Sequence, residues 1–269
     1  FIQKDVHGGN VHLHAIAVDP SNPLIVYAGS IHDPSTFANK VLIGSHIFKS
    51  HDAGVTWEEI GKNYPREIET SVRVITVDPH DPDVIYLGTS KLESVVGNGL
   101  WISNDAGQTW GRSTDGLPLD ASINAIVVHP YNPGWLLVGT QQGMYRSSNA
   151  AGTWHRVGVW NVWDVETDAQ HPDNIYAGTQ EGLKFSPDFG ETWEQVSSDQ
   201  LSGPIIEIAV NCNGTAVYVS DGENGVKAAF VALASSIPLD ETMGVEYGIF
   251  TSRHGDLDIL GAAESGSTR

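Results

Sequence analysis

The chain has 269 residues, 40% hydrophobic and 17% charged, a balance that folds around an apolar core rather than staying disordered. Its 33 acidic residues outnumber 14 basic ones, and a net charge of −19 argues against nucleic acid or an anionic bilayer as partner, since both would be repelled. The single cysteine, Cys212, excludes an intrachain disulfide and any multi-thiolate metal site, and no apolar run reaches the ~18 residues of a membrane helix.

In chain order, the first recognisable unit spans about 12–61. Within it, IAVDPSNPLIVYAGS (16–30) reads as two short strands about a Pro/Asn turn, HIFKS (46–50) as a third strand, and TWEEI as a fourth after SHDAGVTW (50–57). The pattern returns at 71–114, with ITVDPHDPDVIYLGT (75–89), GLWIS (99–103) and SNDAGQTW (103–110). It returns again at 122–158, with IVVHPYNPGWLLVGT (126–140), GMYRS (143–147) and SSNAAGTW (147–154). A fourth copy covers 160–197, with VETDAQHPDNIYAGT (165–179), GLKFS (182–186) and SPDFGETW (186–193). Beyond it the pattern fades into a degenerate unit over 204–260, where IIEIAV (205–210), TAVYVS (215–220) and VKAAFV (226–231) match three strands but no box follows. GIFTSRHG (248–255) echoes a late strand or part of a sixth unit, residues 261–269 read as a tail, and residues 1–6 are placed to supply a closing strand.

Four strands per repeat of about 45 residues is the blade of a β-propeller. The expected fold is therefore all-β, a propeller of four-stranded antiparallel blades. Five blades are favoured and six are the alternative, with Asp-box turns in blades one to four and one domain over 1–269. The box consensus S-x-D-x-G-x-T-W is a turn with a mechanism. The carboxylate accepts backbone N–H groups, the glycine takes a backbone geometry closed to other residues, and the tryptophan packs onto the blade. Its members are accordingly assigned structural roles: Ser50, Asp52, Gly54 and Trp57; Ser103, Asp105, Gly107 and Trp110; Asn149 and Trp154; Ser186, Asp188, Gly190 and Trp193. The third box departs from consensus at Asn149 and Ala151.

These boxes, with the VDP-x-x-P strands before them, resemble the Asp-box (BNR) repeat superfamily over residues 12 to about 196. That superfamily includes sialidases, oligoxyloglucan-type glycoside hydrolases, sortilin-type receptors and photosystem II assembly factors. The resemblance implies the propeller fold and leaves the function open, because the superfamily spreads over several.

In a propeller the first strand of each blade lines the channel, and loops at one mouth carry ligands. Aligning the first strands places His14, Arg73, Asn124 and Trp163 at one equivalent position, with His12, Ser71, Ser122 and Asn161 two residues earlier. Scaffold residues should repeat; these vary. Long inserts at 31–45 and 91–98 decorate the same face, adding His32, Asp33 and Glu93, and Trp160 with Trp163 suits a flat ligand such as a sugar ring. The candidate ligand-binding set is thus His12, His14, His32, Arg73, Asn124, Trp160 and Trp163. His12 and His14, two apart on one strand, form a weak candidate metal pair, with no further ligand placed by spacing; no cofactor is expected.

Of the arginines only Arg73 aligns with the channel, and the arginine-isoleucine-proline motif of sialidases is absent. Asp164 and Glu166 lie on a first strand, yet no carboxylate pair stands out as a glycosidase site, and the xyloglucanase-like cleft belongs between two propellers. The favoured expectation is a non-catalytic binding or assembly scaffold for a protein or carbohydrate. The alternatives are a glycoside hydrolase or carbohydrate-binding propeller, and then a metal-binding propeller. The first residue, Phe1, fits either a processed chain or a fragment, and an extracellular or periplasmic setting is expected.

Overall fold

The computed structural model describes residues 13–30, 45–61, 70–91, 99–196, 203–211, 214, 216–220 and 226–229. Among these, every regular element is a β-strand. Blade one contains β1 (Leu13–Val18), β2 (Val26–Ser30), β3 (Ile47–Ser50) and β4 (Glu58–Ile60). Blade two contains β5 (Thr70–Val77), β6 (Ile85–Lys91), β7 (Leu100–Ser103) and β8 (Gly111–Ser113). Blade three contains β9 (Ile123–Val128), β10 (Leu136–Thr140), β11 (Gly143–Ser147) and β12 (His155–Gly158). Blade four contains β13 (Val162–Thr167), β14 (Ile175–Thr179), β15 (Gly182–Ser186) and β16 (Glu194–Gln195). Blade five contributes β17 (Glu207–Val210), β18 (Val217–Ser220) and β19 (Val226–Ala229).

Each blade is an antiparallel meander in chain order, four-stranded in blades one to four and three-stranded among the described residues of blade five. The five-bladed, propeller-like arrangement matches the expected architecture. The segments assigned to a closing strand, to a sixth blade and to the tail lie outside the described residues.

The Asp boxes fold as their chemistry requires. In the first, the Thr56 N–H and hydroxyl donate to Asp52 Oδ1 and Oδ2 at 2.7 and 2.6 Å, the Gly54 N–H donates to Ser50 Oγ, and the Trp57 indole N–H reaches Gly54 O at 2.9 Å. The Thr56 hydroxyl, and then its N–H, hold the Asp52 carboxyl down at about 2. The boxes at Asp105 and Asp188 repeat these bonds. The degenerate third box keeps the turn by substitution. Asn149 Oδ1 accepts the Thr153 N–H, while its amide donates to the Thr153 hydroxyl. Ala151 takes the left-handed backbone that glycine takes elsewhere (φ 61°). The Trp154 indole donates to Ser113 of blade two, whose hydroxyl donates in turn to Ala151 O.

The turn between the first two strands shows a similar exchange. Asp19, Asp78 and Asp168 each accept the N–H two residues on through Oδ1. In blade three His129 replaces the aspartate, and its Nδ1 accepts the N–H groups of Tyr131 and Asn132 at 3.0 Å. That places the ring proton on Nε2, which faces Asp173 Oδ1 at 3.1 Å. The tyrosine behind the aspartate changes with it: Tyr27, Tyr86 and Tyr176 occupy the position that Leu137 takes in blade three. Tyr86 donates to Asp78 Oδ2, and burial with that carboxylate pushes its phenol up.

Blades stack through small gaps on their second strands. A Cβ built on Gly139 would lie 2.7 Å from Val162 Cγ1 and 3.2 Å from Val165 Cγ2 of blade four. Gly29 and Gly88 receive the side chains of Val72 and Ile123 in the same way, and Gly178 receives Ile205, whose carbonyl O a Cβ would meet at 2.7 Å. Inner strands are thereby drawn together around the channel side. Gly139→Ala should cost about 1–3 kcal/mol by overpacking in urea denaturation, and Val162→Ala in the same chain should recover part of that loss. A neutral Gly139→Ala would contradict the role assigned to the gap.

Candidate functional site

Near its start, the inner strand of each Asp-box blade carries one extra residue. Pairing steps from Leu13↔Ser30 to Ala15↔Gly29, from Val72↔Thr89 to Val74↔Gly88, from Ile123↔Thr140 to Ala125↔Gly139, and from Val162↔Thr179 to Asp164↔Gly178. The residues left between are His14, Arg73, Asn124 and Trp163. Each is therefore the bulged residue of its strand, re-aimed out of the ladder. In blade five the described pairing begins at Glu207↔Ser220, the counterpart of Asp164↔Gly178, just beyond the position that carries the bulge in the other blades.

The four do not share one environment. His14 and Arg73 are exposed, whereas Trp163 is half-buried. Asn124 is half-buried too and donates through Nδ2 to Val162 O at 2.7 Å, tying blade three to blade four. Trp160 is packed edge-on against the box tryptophan Trp193 at 5.8 Å, with Lys184 Nζ 4.8 Å from its ring centre. Trp160 is thus engaged within blade packing rather than standing beside Trp163 as a free platform. His12, His32, Asp33 and Glu93 lie outside the described residues. Among the described residues no group of three or more His, Cys, Asp or Glu is placed to hold a metal ion.

Beyond the bulge, alternate residues of the inner strand face the following blade. Thr76 Oγ1, for example, donates to Ile126 O of blade three, and Ala125 and Val127 join the core between blades three and four. In blades one to three these positions hold Ala15 and Ala17, Val74 and Thr76, Ala125 and Val127. Blade four places Asp164 and Glu166 there. Asp164 Oδ1 accepts its neighbour's N–H from Val165 at 2.9 Å, and Oδ2 accepts the Ile208 N–H of blade five at 2.8 Å. Burial raises the Asp164 carboxyl, against these two bonds, and Glu207 adds to the rise. Burial, and secondarily the Asp164 charge, pushes Glu166 up to about 7. A carboxyl that keeps its proton near neutrality, beside a second carboxyl anchored by backbone N–H groups, is equipped for general acid chemistry.

Both residues were visible on a first strand, but their pairing was not. The usable signal was the break in the repeat: two acids where three blades carry small or apolar residues.

Bulged inner strands and Asp-box turns together define a five-bladed, propeller-like Asp-box repeat protein. The family model Sortilin, neurotensin receptor 3 (Sortilin-Vps10) matches residues 45–202, more than half of the chain. The chain belongs to this family. It is also similar to a probable oligoxyloglucan-reducing end-specific xyloglucanase of Neosartorya fischeri, 30% identical over 145 residues, covering 47% of this chain and 18% of the relative. A xyloglucanase of Acetivibrio thermocellus is 35% identical over 107 residues, covering 37% of this chain and 11% of the relative. The chain therefore spans less than a fifth of the length of these curated relatives. Its fold superposes on an ancestral GH74 enzyme with a TM-score of 0.63 and 18% identity, over 82% of this chain and 30% of that one.

These matches correct the favoured expectation of a non-catalytic scaffold, in which catalysis was the less favoured outcome: relatives similar to this chain are named as xyloglucanases, which favours the alternative of a glycoside hydrolase. Asp164 and Glu166, which the sequence reading placed on a first strand without pairing them, are half-buried and lie just beyond the bulge of blade four.

Because Glu166 holds its proton more tightly when folded than at its ordinary value of 4.5, its contribution to stability is fully present below about 4.5 and is lost as pH rises through about 7. Glu166→Gln, neutral throughout, should raise stability at pH 8 by about 1–3 kcal/mol and flatten the decline between pH 5 and 8 in thermal unfolding. Parallel pH profiles for the two proteins would contradict the assignment.

Proposed function

We propose that this propeller serves a glycoside hydrolase reaction on a xyloglucan-type polysaccharide outside the cell, with residues 1–269 acting as one propeller domain. The observation that carries the reading is the Asp164–Glu166 pair, set where the other Asp-box blades carry alanine, valine or threonine. Half-burying two acids in a joint between blades costs stability, a cost that a chain keeps most readily where the groups act. The xyloglucanase relatives support the substrate class.

In this reading the Glu166 carboxylic acid donates its proton to the glycosidic oxygen as the bond to the anomeric carbon breaks. The Asp164 carboxylate draws a proton from the water that attacks that carbon. Two residues along a strand separate side-chain origins by about 6.5 Å, nearer the spacing that admits a water between the carboxyls than the closer spacing of a covalent mechanism. Asp164 keeps lone pairs for this role after accepting two N–H groups, since a carboxylate offers about four acceptor sites. Trp163, adjacent on the bulge, offers a ring face to the sugar, and Arg73 and His14 offer polar groups around the mouth.

Release of reducing ends from xyloglucan tests the proposal. Glu166→Gln should lower kcat by about 10²–10⁴-fold, with its circular dichroism unchanged. Wild-type turnover should fall as pH rises through about 7, where Glu166 loses its proton. Trp163→Ala should chiefly raise KM. Absence of hydrolysis by the folded protein between pH 4 and 8 would refute the reading, and full activity in Glu166→Gln would refute the residue assignment.

A further inference from the structure

The outer part of two joints between blades follows one template. On the third strand, the residue before the box serine is Lys49 in blade one, Ile102 in blade two and Arg146 in blade three, paired with Tyr27, Tyr86 and Leu137 of the second strand. Lys49 Nζ donates to Ala106 O, the fourth residue of the next blade's box, at 3.4 Å. Arg146 Nε donates to Phe189 O, the same box position, at 2.9 Å, and its guanidinium also reaches Glu191 Oε1 at 3.2 Å. Each cation rests over an aromatic ring, Tyr27 for Lys49 and Trp135 for Arg146. In both joints a basic side chain of one blade closes on the box of the next.

The joint between blades two and three lacks this closure. Ile102 has no donor to offer Ala150 O, the equivalent carbonyl, and packs instead on the core of the joint. Ser113 ties only the next carbonyl, Ala151 O. The strand partner of Ile102 is Gly111, where blade one pairs Lys49 with Glu58 and blade three pairs Arg146 with His155. A Cβ built on Gly111 would meet nothing within 4 Å. Two side chains are thus missing side by side. A cleft of about 340 Å³ stands in their place, lined by Ile102 and Gly111, by Asp105 and Thr109 of the blade-two box, and by Ala150 of blade three. Arg112 also borders it, but its guanidinium is directed to Gly99, where a Cβ would lie 3.3 Å from Nε, at the end of β7 away from the box.

We infer that this cleft binds an arginine side chain presented by another polypeptide, in the place that Lys49 and Arg146 fill from within the chain. Ile102 and the bare Gly111 give the aliphatic stem an apolar wall. Ala150 O offers the guanidinium the acceptor that Phe189 O offers Arg146. Asp105 supplies the opposite charge. Its oxygens accept the Ser103 hydroxyl and the Thr109 N–H and hydroxyl, which leaves one of a carboxylate's roughly four acceptor sites open. The Thr109 hydroxyl, and then its N–H, hold that carboxyl below its usual range, so it stays ionised. A planar guanidinium can meet a carbonyl and a carboxylate together, which a compact ammonium does less well. The net charge of −19 favours the approach of a basic partner. The site stands apart from the Asp164–Glu166 pair and does not depend on the hydrolase reading.

Titration of the whole chain with acetyl-Gly-Arg-Gly-amide, followed by amide NMR, tests the inference. The signals of Asn104, Gly111 and Ala150 should shift saturably, with a dissociation constant on the order of 10 mM, as one inserted side chain of about seven heavy atoms allows. The same peptide with citrulline for arginine keeps the shape and loses the charge, and should bind about tenfold more weakly. Ile102→Arg fills the cleft from within and should abolish the shifts. Gly111→Leu blocks the open space without adding charge and should do the same, so the test stands even where one variant fails to fold. Circular dichroism should be unchanged in the variant that is scored. Absence of saturable shifts at these residues, equal affinity for the citrulline peptide, or binding retained in either folded variant overturns the proposal.

Discussion

The gap left by a missing side chain on the second strand of each blade is the constraint from which the rest of the structure follows. Gly29, Gly88 and Gly139 each admit a side chain of the next blade's inner strand, and Gly178 admits Ile205 just ahead of blade five's inner strand, at distances that a Cβ would forbid. That approach sets how closely successive inner strands stand around the channel. The bulge follows within two residues of the admitted side chain: Val72 is followed by Arg73, Ile123 by Asn124 and Val162 by Trp163. Packing between blades and the bulge that re-aims a residue out of the ladder thus fall side by side on each inner strand.

Around this constraint the repeat tolerates change when the hydrogen bonding is kept. Asn149 replaces an aspartate and still accepts one N–H, with its amide reversing the bond to Thr153. Ser113 bridges Trp154 and Ala151 O where the other boxes use a direct bond. His129 stands in for an aspartate because an unprotonated imidazole nitrogen accepts the same turn N–H groups, and Leu137 stands where Tyr86 of blade two donates to Asp78. Each exchange keeps the turn N–H groups supplied with an acceptor, which is the condition for neutrality in a buried turn.

Asp164 and Glu166 are a different kind of change. They introduce charge into a joint that the other blades fill with small or apolar groups, and burial raises both carboxyls. One is partly compensated by two backbone N–H groups; the other meets a like charge. A repeat protein can be read for function by this contrast: substitutions that preserve a local bond belong to the scaffold, and those that oppose local packing mark where the chain does something else.

Much of the architecture was legible in the amino-acid order, because its signals are local. The boxes at Asp52, Asp105 and Asp188 close their bonds within eight residues, and a strand pair such as 75–89 contains both strands and their turn. The equivalence of His14, Arg73, Asn124 and Trp163 was legible for the same reason, since a repeat aligns itself. Tertiary structure alone decided that these four are bulged residues, that Asn124 is engaged with blade four, and that Trp160 packs on Trp193 instead of pairing with Trp163. It alone set Asp164 against Ile208 and raised Glu166, because burial and the charge of a neighbour depend on which blade stands opposite. Sequence by itself determined the blade, a unit stabilised by bonds among residues close in the chain; what the blades face, and so which carboxyl keeps its proton, depended on contacts between residues some 40 apart.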